Sequence, residues 1–157
     1  MTGSTILKNA RIGNSLEFLE EGTLSTHCAL KTKFPDKSET IEKRRPRMLE
    51  MVRRFHSARY KGRYGGQIHI GDTYMILSFL QIIQPKSAVE LGVCSGFSSA
   101  LLLVAADRFG LIRGDAPFLY SLDALTRAIT TNKPIGQVVH YNFPKHTCYW
   151  NTLFGKI

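Results

Sequence analysis

A short apolar segment that ends in an acid and opens into small residues constrains the fold of this chain more than any other stretch. It runs Ala88-Val89-Glu90-Leu91-Gly92-Val93-Cys94-Ser95-Gly96-Phe97-Ser98. The pattern predicts a buried strand, a tight turn and the start of a helix, because Gly92 and Gly96 permit backbone angles or close approaches that a side chain would block. This order is typical of α/β proteins that bind a nucleotide-like ligand.

The residues after the turn continue the same pattern. We expect a helix over residues 97–108 closed by Gly110, a strand over 117–123, a short helix over 135–141 and a strand over 149–154. Strands that alternate with helices predict a parallel sheet with right-handed crossovers. Asp123 ends the second strand, where such folds hydrogen-bond the ribose hydroxyls of a ligand.

The residues before the turn predict one buried helix. Residues 73–84 are apolar on nearly all sides, Asp72 is a suitable N-cap, and Pro85 ends the segment. A helix of this kind that leads directly into a strand is expected to pack on the sheet beside the glycine turn.

Residues 1–64 predict an N-terminal extension of helices and a linker. We expect a short helix over 15–21 stopped by Gly22, a loop or mobile linker over 23–42, and an amphipathic helix from Pro46 to about Tyr60. Met48, Val52 and Phe55 fall on one face of that last helix.

This last segment is strongly basic. Residues 43–63 contain nine basic residues and one acid, Glu50, so they contribute 9 − 1 = +8 to a net charge of +9. The sequence leaves three interpretations open: a solvated helix face, a site for an anionic ligand or nucleic acid, and attachment to a membrane surface.

Composition bounds the remaining possibilities. A chain of 157 residues with 43% hydrophobic content has room for a folded core, and neither a membrane-spanning run nor a secretory signal appears, so a cytoplasmic protein is expected. Cys28, Cys94 and Cys148 form no CxxC pair, which predicts reduced thiols. His140, His146 and Cys148 lack a fourth ligand, so we predict no metal site.

The spacing of the turn separates two kinds of ligand site. The dinucleotide fingerprint requires G-x-G-x-x-G, whereas Cys94 stands midway between Gly92 and Gly96. The pattern Glu90-x-Gly92-x-x-x-Gly96 resembles the S-adenosylmethionine turn of class I methyltransferases, in particular their small-molecule O-methyltransferase-like members. The resemblance covers about residues 65–157, including Ser121-Leu122-Asp123 and the segment from Pro134 to Lys156.

The resemblance implies a Rossmann-like domain over residues 65–157 with S-adenosylmethionine as cofactor. It implies that the methionine side of the ligand is cradled by the turn, that Asp123 holds the ribose, and that Lys156 lies near the adenine. The cradle would consist of Glu90, Gly92, Val93, Cys94, Ser95 and Gly96. Structural alternatives remain: Glu90 could cap the turn, the glycines could serve helix–sheet packing, and Asp123 could be an N-cap.

The resemblance covers only the first half of that fold. Class I methyltransferases continue with a fourth strand beside the first, whereas the residues here end after the third, and no catalytic base can be assigned. Three hypotheses follow. The chain is the cofactor-binding half of an enzyme for a small-molecule methyl acceptor, completed by a second copy or another chain; it is a non-catalytic or regulatory subunit that associates through its sheet edge; or it is a basic nucleic-acid-binding module or RNA methyltransferase.

Overall fold

The computed structural model describes residues 16–58, 68–129 and 132–155. They fall into two compact units. The helical unit consists of the described residues up to Ala58 together with His69–Ile82, and the unit that contains the sheet consists of Ile68 and the described residues from Ile83 onward. The predicted boundary between residues 64 and 65 lies outside the described residues.

Helices make up the first unit. They are α1 (Leu16–Lys33), a 3₁₀ turn (Pro35–Lys37), α2 (Ser38–Ser57) and α3 (Ile70–Ile83). The prediction of a linker over residues 23–42 is therefore wrong, because helical structure covers nearly all of it, and Gly22 lies inside α1 rather than at its end.

The buried face of α1 explains why its period is hidden in the sequence. Leu19 and Leu30 are buried, but between them at helical spacing come two buried polar residues, Thr23 and His27. The Thr23 hydroxyl donates to the Leu19 carbonyl over 2.8 Å, and His27 Nδ1 lies 2.8 Å from the Tyr74 hydroxyl. Polar groups satisfied in this way can line a core, although the apolar periodicity of the sequence does not mark their positions as buried.

Helix α2 begins earlier than predicted. It starts at Ser38, so Pro46 lies within the helix instead of in its first turn. Met48, Val52 and Phe55 are buried, which confirms the predicted apolar face. Part of the helix's charge is compensated, because Glu50 pairs with the guanidinium groups of Arg53 and Arg54 over 2.8 and 2.6 Å. These hydrogen bonds lower the pKa of Glu50 to about 2.

Three further members of the basic segment, Arg59, Lys61 and Arg63, lie outside the described residues.

Helix α3 differs from its prediction in two ways. It begins at Ile70, so Asp72 lies in its first turn and is not the N-cap. It also buries one face, which includes Tyr74, Leu77 and Leu80, whereas Met75 and Ile83 are exposed. Nearly all of the helix belongs to the helical unit rather than to the unit that contains the sheet.

A three-stranded parallel sheet forms the centre of the second unit. The strands β1 (Ala88–Leu91), β2 (Leu119–Asp123) and β3 (Trp150–Phe154) lie in that order. Helix α4 (Phe97–Arg108) connects β1 to β2, and α5 (Gln137–Asn142) with a 3₁₀ helix (Pro144–Tyr149) connects β2 to β3. The predicted strand–helix alternation and parallel pairing are confirmed, which establishes a mixed α/β fold.

Strand β1 does not have the burial that its composition suggests. Val89 and Leu91 are 68% and 79% exposed, whereas Glu90 between them is 8% exposed. Glu90 bonds to serines of α4, so its face of the strand is the covered one, and the alternation of side chains places its two neighbours on the opposite face. The prediction of a buried strand is therefore wrong for these two apolar residues.

The end of α4 follows the sequence closely. Gly110 adopts a φ of 68°, its N–H donates to the Asp107 carbonyl, and the Leu111 N–H donates to the Ala106 carbonyl. This pair of bonds is the Schellman termination, which favours glycine at this position. In the ranges that the structure describes, no helix is long and apolar enough to cross a membrane.

Candidate functional site

The turn after β1 is held in a left-handed backbone conformation at three positions. Gly92, Cys94 and Gly96 have φ values of 79°, 50° and 83°. At Gly92 an added Cβ would meet nothing within 4 Å, so this part of the turn faces open space. The turn thus leaves its own backbone accessible at the carboxyl end of β1.

Asp123, at the end of β2, fixes this turn through its carboxylate. Oδ2 accepts the Val93 N–H over 2.8 Å and the Cys94 N–H over 3.2 Å, and Oδ1 accepts the Leu125 N–H over 3.0 Å. Burial acts to raise the pKa of Asp123, but these three backbone hydrogen bonds outweigh it and leave the pKa below its ordinary value. The side chain is therefore ionised at neutral pH.

This carboxylate retains capacity for a ligand. An ionised carboxylate offers about four acceptor positions, of which the three backbone N–H groups use three. The remaining position is on Oδ1, and Asp123 is only half-buried. Asp123 can therefore accept a ligand hydroxyl while it continues to hold the turn.

Glu90 occupies a buried polar network behind the turn. Oε1 accepts the Ser98 hydroxyl over 2.5 Å, and Oε2 accepts those of Ser99 and Ser121 over 2.6 and 2.8 Å. The Ser121 oxygen in turn accepts the indole N–H of Trp150 over 2.8 Å. Glu90 thus ties β1 to α4 and to β2, and this arrangement makes it a positioning residue for the turn.

The start of α5 packs directly on the turn. The Gly136 N–H donates to the Cys94 carbonyl and the Val138 N–H to the Ser95 carbonyl, each over 2.9 Å. A Cβ on Gly96 would lie 2.7 Å from the Cα of Gly136. Backbones that approach this closely require glycine at the contact.

The structure brings together most of the residues that the sequence predicts for this site. Val93, Cys94 and Asp123 are directly bonded, Gly92, Ser95 and Gly96 belong to the same turn, and Glu90 lies behind it. Lys156 lies outside the described residues. Next to it in sequence, the Gly155 N–H donates to the Asp123 carbonyl over 2.9 Å, so β3 ends beside the end of β2.

Other residues of the site are missed by the sequence interpretation. They are Ser98, Ser99, Ser121, Gly136 and Trp150. One signal was available: Ser121 is a polar residue at an inward position of an apolar strand, and it pairs in register with Glu90. An acid and a hydroxyl on the same face of adjacent strands indicate a buried polar network.

The scattered histidines do not form a metal centre in the part of the chain that the structure describes. No group of three potential ligands occurs there, and His146 Nε2 instead lies 3.0 Å from Asp107 Oδ2.

Comparisons with models of protein families, with curated proteins and with solved structures find no match to this chain.

Proposed function

We propose that this chain is the cofactor-binding half of an S-adenosylmethionine-dependent methyltransferase that acts on a small molecule. The observation that carries the proposal is the meeting of the carboxyl ends of β1 and β2 at an open glycine turn, where Asp123 is bonded to the turn itself. Ligands of open parallel sheets bind outside the carboxyl ends of the strands.

The residues present are suited to such a ligand. The open side of Gly92 allows close approach to the backbone, and the free acceptor position of Asp123 suits a ribose hydroxyl. Glu90 would act indirectly, because its acceptor positions are mostly filled by serines. When bound, S-adenosylmethionine supplies an electrophilic methyl group on a sulfonium, and the turn would hold and orient it.

Calorimetry on a matched pair of variants tests this proposal. Gly92→Ala and Gly110→Ala both place a Cβ at a left-handed φ with nothing within 4 Å. Each is expected to lower the free energy of unfolding by about 1–2 kcal/mol. The Gly92 variant alone is expected to lose affinity for S-adenosylmethionine, by about 10-fold or more, because its methyl group occupies the open side of the turn.

Two results would count against the proposal. The first is a wild-type protein that releases or absorbs no heat of binding with S-adenosylmethionine. The second is an equal loss of affinity in both glycine variants, which would trace the effect to stability and not to the site.

Activity requires groups that bring an acceptor to the methyl donor, since methyl transfer depends on orienting the two reactants. Strand β1 offers a place where these groups could join. On the side of β2, the Ala88 N–H donates to the Phe118 carbonyl and the Gly92 N–H to the Leu122 carbonyl. The N–H groups of Val89 and Leu91 therefore face the other edge of the strand, where no described strand pairs with them. The exposed side chains of Val89 and Leu91 favour a second candidate function, association through this edge.

A second copy is the occupant that we propose for this edge. Two β1 strands related by a twofold axis would pair antiparallel and satisfy both edges with the same residues. Sedimentation velocity is expected to show a dimer, and Leu91→Lys is expected to convert it to a monomer. Ile129→Lys is the control, since Ile129 is also exposed but lies outside the strand. A wild-type protein that sediments as a monomer, or a dimer that survives Leu91→Lys, would exclude this mode of association.

A further inference from the structure

A cavity of about 470 Å³ lies at the end of the sheet opposite the glycine turn. Its walls come from the segment before β1 and the segment before β2, and parallel strands place these two segments at one end of the sheet. The lining includes Gln84, Lys86, Leu111, Ile112, Arg113 and Phe118. A volume of this size accommodates a small organic molecule.

The lining combines buried apolar surface with positive charge. Leu111 and Phe118 are 7% and 2% exposed, whereas Lys86 and Arg113 are exposed cations. Among the described residues, no acid contributes to the lining, and Asp115, in the same segment as Arg113, lies outside it. Among the described residues, neither cation forms an ion pair with a carboxylate.

The backbone at the wall of the cavity carries strain. Gln84 adopts a φ of 49°, a left-handed conformation that favours glycine, and it directly precedes Pro85. Gln84 directly follows α3, and a left-handed residue at this position is a common way for a helix to end. The helix end therefore forms part of the cavity wall.

We propose that this cavity binds a small organic anion with an apolar body. Its negatively charged group would pair with Lys86 and Arg113, and its hydrocarbon part would cover Leu111 and Phe118. Two unpaired cations beside buried apolar side chains match the two halves of such a molecule, whereas a neutral apolar ligand would leave the cations without a partner. This site would be separate from the proposed cofactor turn and does not depend on it.

Amide chemical shifts in the ¹⁵N-labelled protein provide the test, with 4-phenylbutyrate as the probe. We expect saturable shifts at Lys86, Ile112, Arg113 and Phe118, which line the cavity. The neutral analogue 4-phenylbutanamide and inorganic phosphate are both expected to bind about 10-fold more weakly, because each lacks one of the two kinds of contact.

Variants at the two cations distinguish charge pairing from nonspecific binding. The double variant Lys86→Gln/Arg113→Gln is expected to weaken 4-phenylbutyrate binding about 10-fold. Lys145→Gln removes a charge from a side chain that is 79% exposed and outside the cavity, and it is expected to leave binding unchanged. Both cations are exposed, so neither substitution disturbs the core.

The proposal would be overturned by the absence of saturable shifts with the wild-type protein, by shifts confined to residues outside the lining, or by equal affinity for 4-phenylbutyrate and its amide. Phosphate that binds as tightly as 4-phenylbutyrate would also overturn it, because the apolar wall would then contribute nothing.

Discussion

Replacement of Gly96 by alanine is expected to lower the free energy of unfolding by about 3–5 kcal/mol, from backbone strain and overpacking together. The residue has a φ of 83°, and the new Cβ would lie 2.7 Å from the Cα of Gly136 and 3.0 Å from its carbonyl carbon. Both neighbours are backbone atoms, so no side chain can rotate away. The Trp150 ring lies directly against Gly136, since a Cβ built on Gly136 would be 2.3 Å from the ring. Gly136 therefore has little room to move away from the new methyl group.

Urea denaturation of Gly96→Ala beside Gly92→Ala measures this effect. The two substitutions share a left-handed φ, but only Gly96 has a close neighbour. The Gly92 variant should therefore lose about 1–2 kcal/mol from strain alone. Equal losses in the two variants would mean that the Gly96–Gly136 contact relaxes without cost. In that case α5 does not pack rigidly on the turn.

The sheet and its turn could be predicted from the sequence because their signals are local. Each strand is a short run of β-forming residues with turn residues at its ends, and Gly92, Gly96 and Gly110 stand where left-handed φ values are required. Asp123 could be placed at the turn because parallel strands end on the same side of a sheet. The local pattern could not predict that the Asp123 carboxylate bonds to the backbone of the turn, since Val93 and Cys94 lie 30 and 29 positions before it in the sequence.

The failures have a common physical cause. The sequence predicts the first turns of α1 but not its continuation beyond Gly22, because Thr23 and His27 occupy buried positions that a search for apolar periodicity counts as exposed. The burial of β1 was misjudged for the converse reason, since Glu90 faces inward and its apolar neighbours face outward. Thr23 is satisfied within its own helix by the Leu19 carbonyl. His27 and Glu90 are satisfied by residues distant in the sequence, Tyr74 and Ser121, and partners of that kind leave no trace in the local pattern.

Ser121 offers the sharpest test of such a partnership. Its hydroxyl links the Glu90 carboxylate to the Trp150 indole, and the residue is 1% exposed. Ser121→Ala leaves a buried N–H donor and one carboxylate acceptor position unpaired. We expect the free energy of unfolding to fall by about 2–4 kcal/mol, because each orphaned group retains most of its desolvation cost.

Ser98→Ala provides the matched control. It also removes one hydroxyl donor from Glu90, but Ser98 is half-buried, so water can replace the lost bond. Its expected cost is about 1 kcal/mol or less. Because Trp150 is the chain's single tryptophan, its fluorescence reports both the unfolding transition and the loss of the indole hydrogen bond.

A double-mutant cycle then isolates the contribution of the indole hydrogen bond to stability. Trp150→Phe removes the N–H donor, so Ser121→Ala in that background leaves only the Glu90 acceptor position without a partner. The cost of the serine substitution should therefore be smaller there by about 1–2 kcal/mol than in the wild-type protein. Additive costs would show that Ser121 serves Glu90 alone, and the link between the turn network and β3 would have to reside in packing instead of in this hydrogen bond.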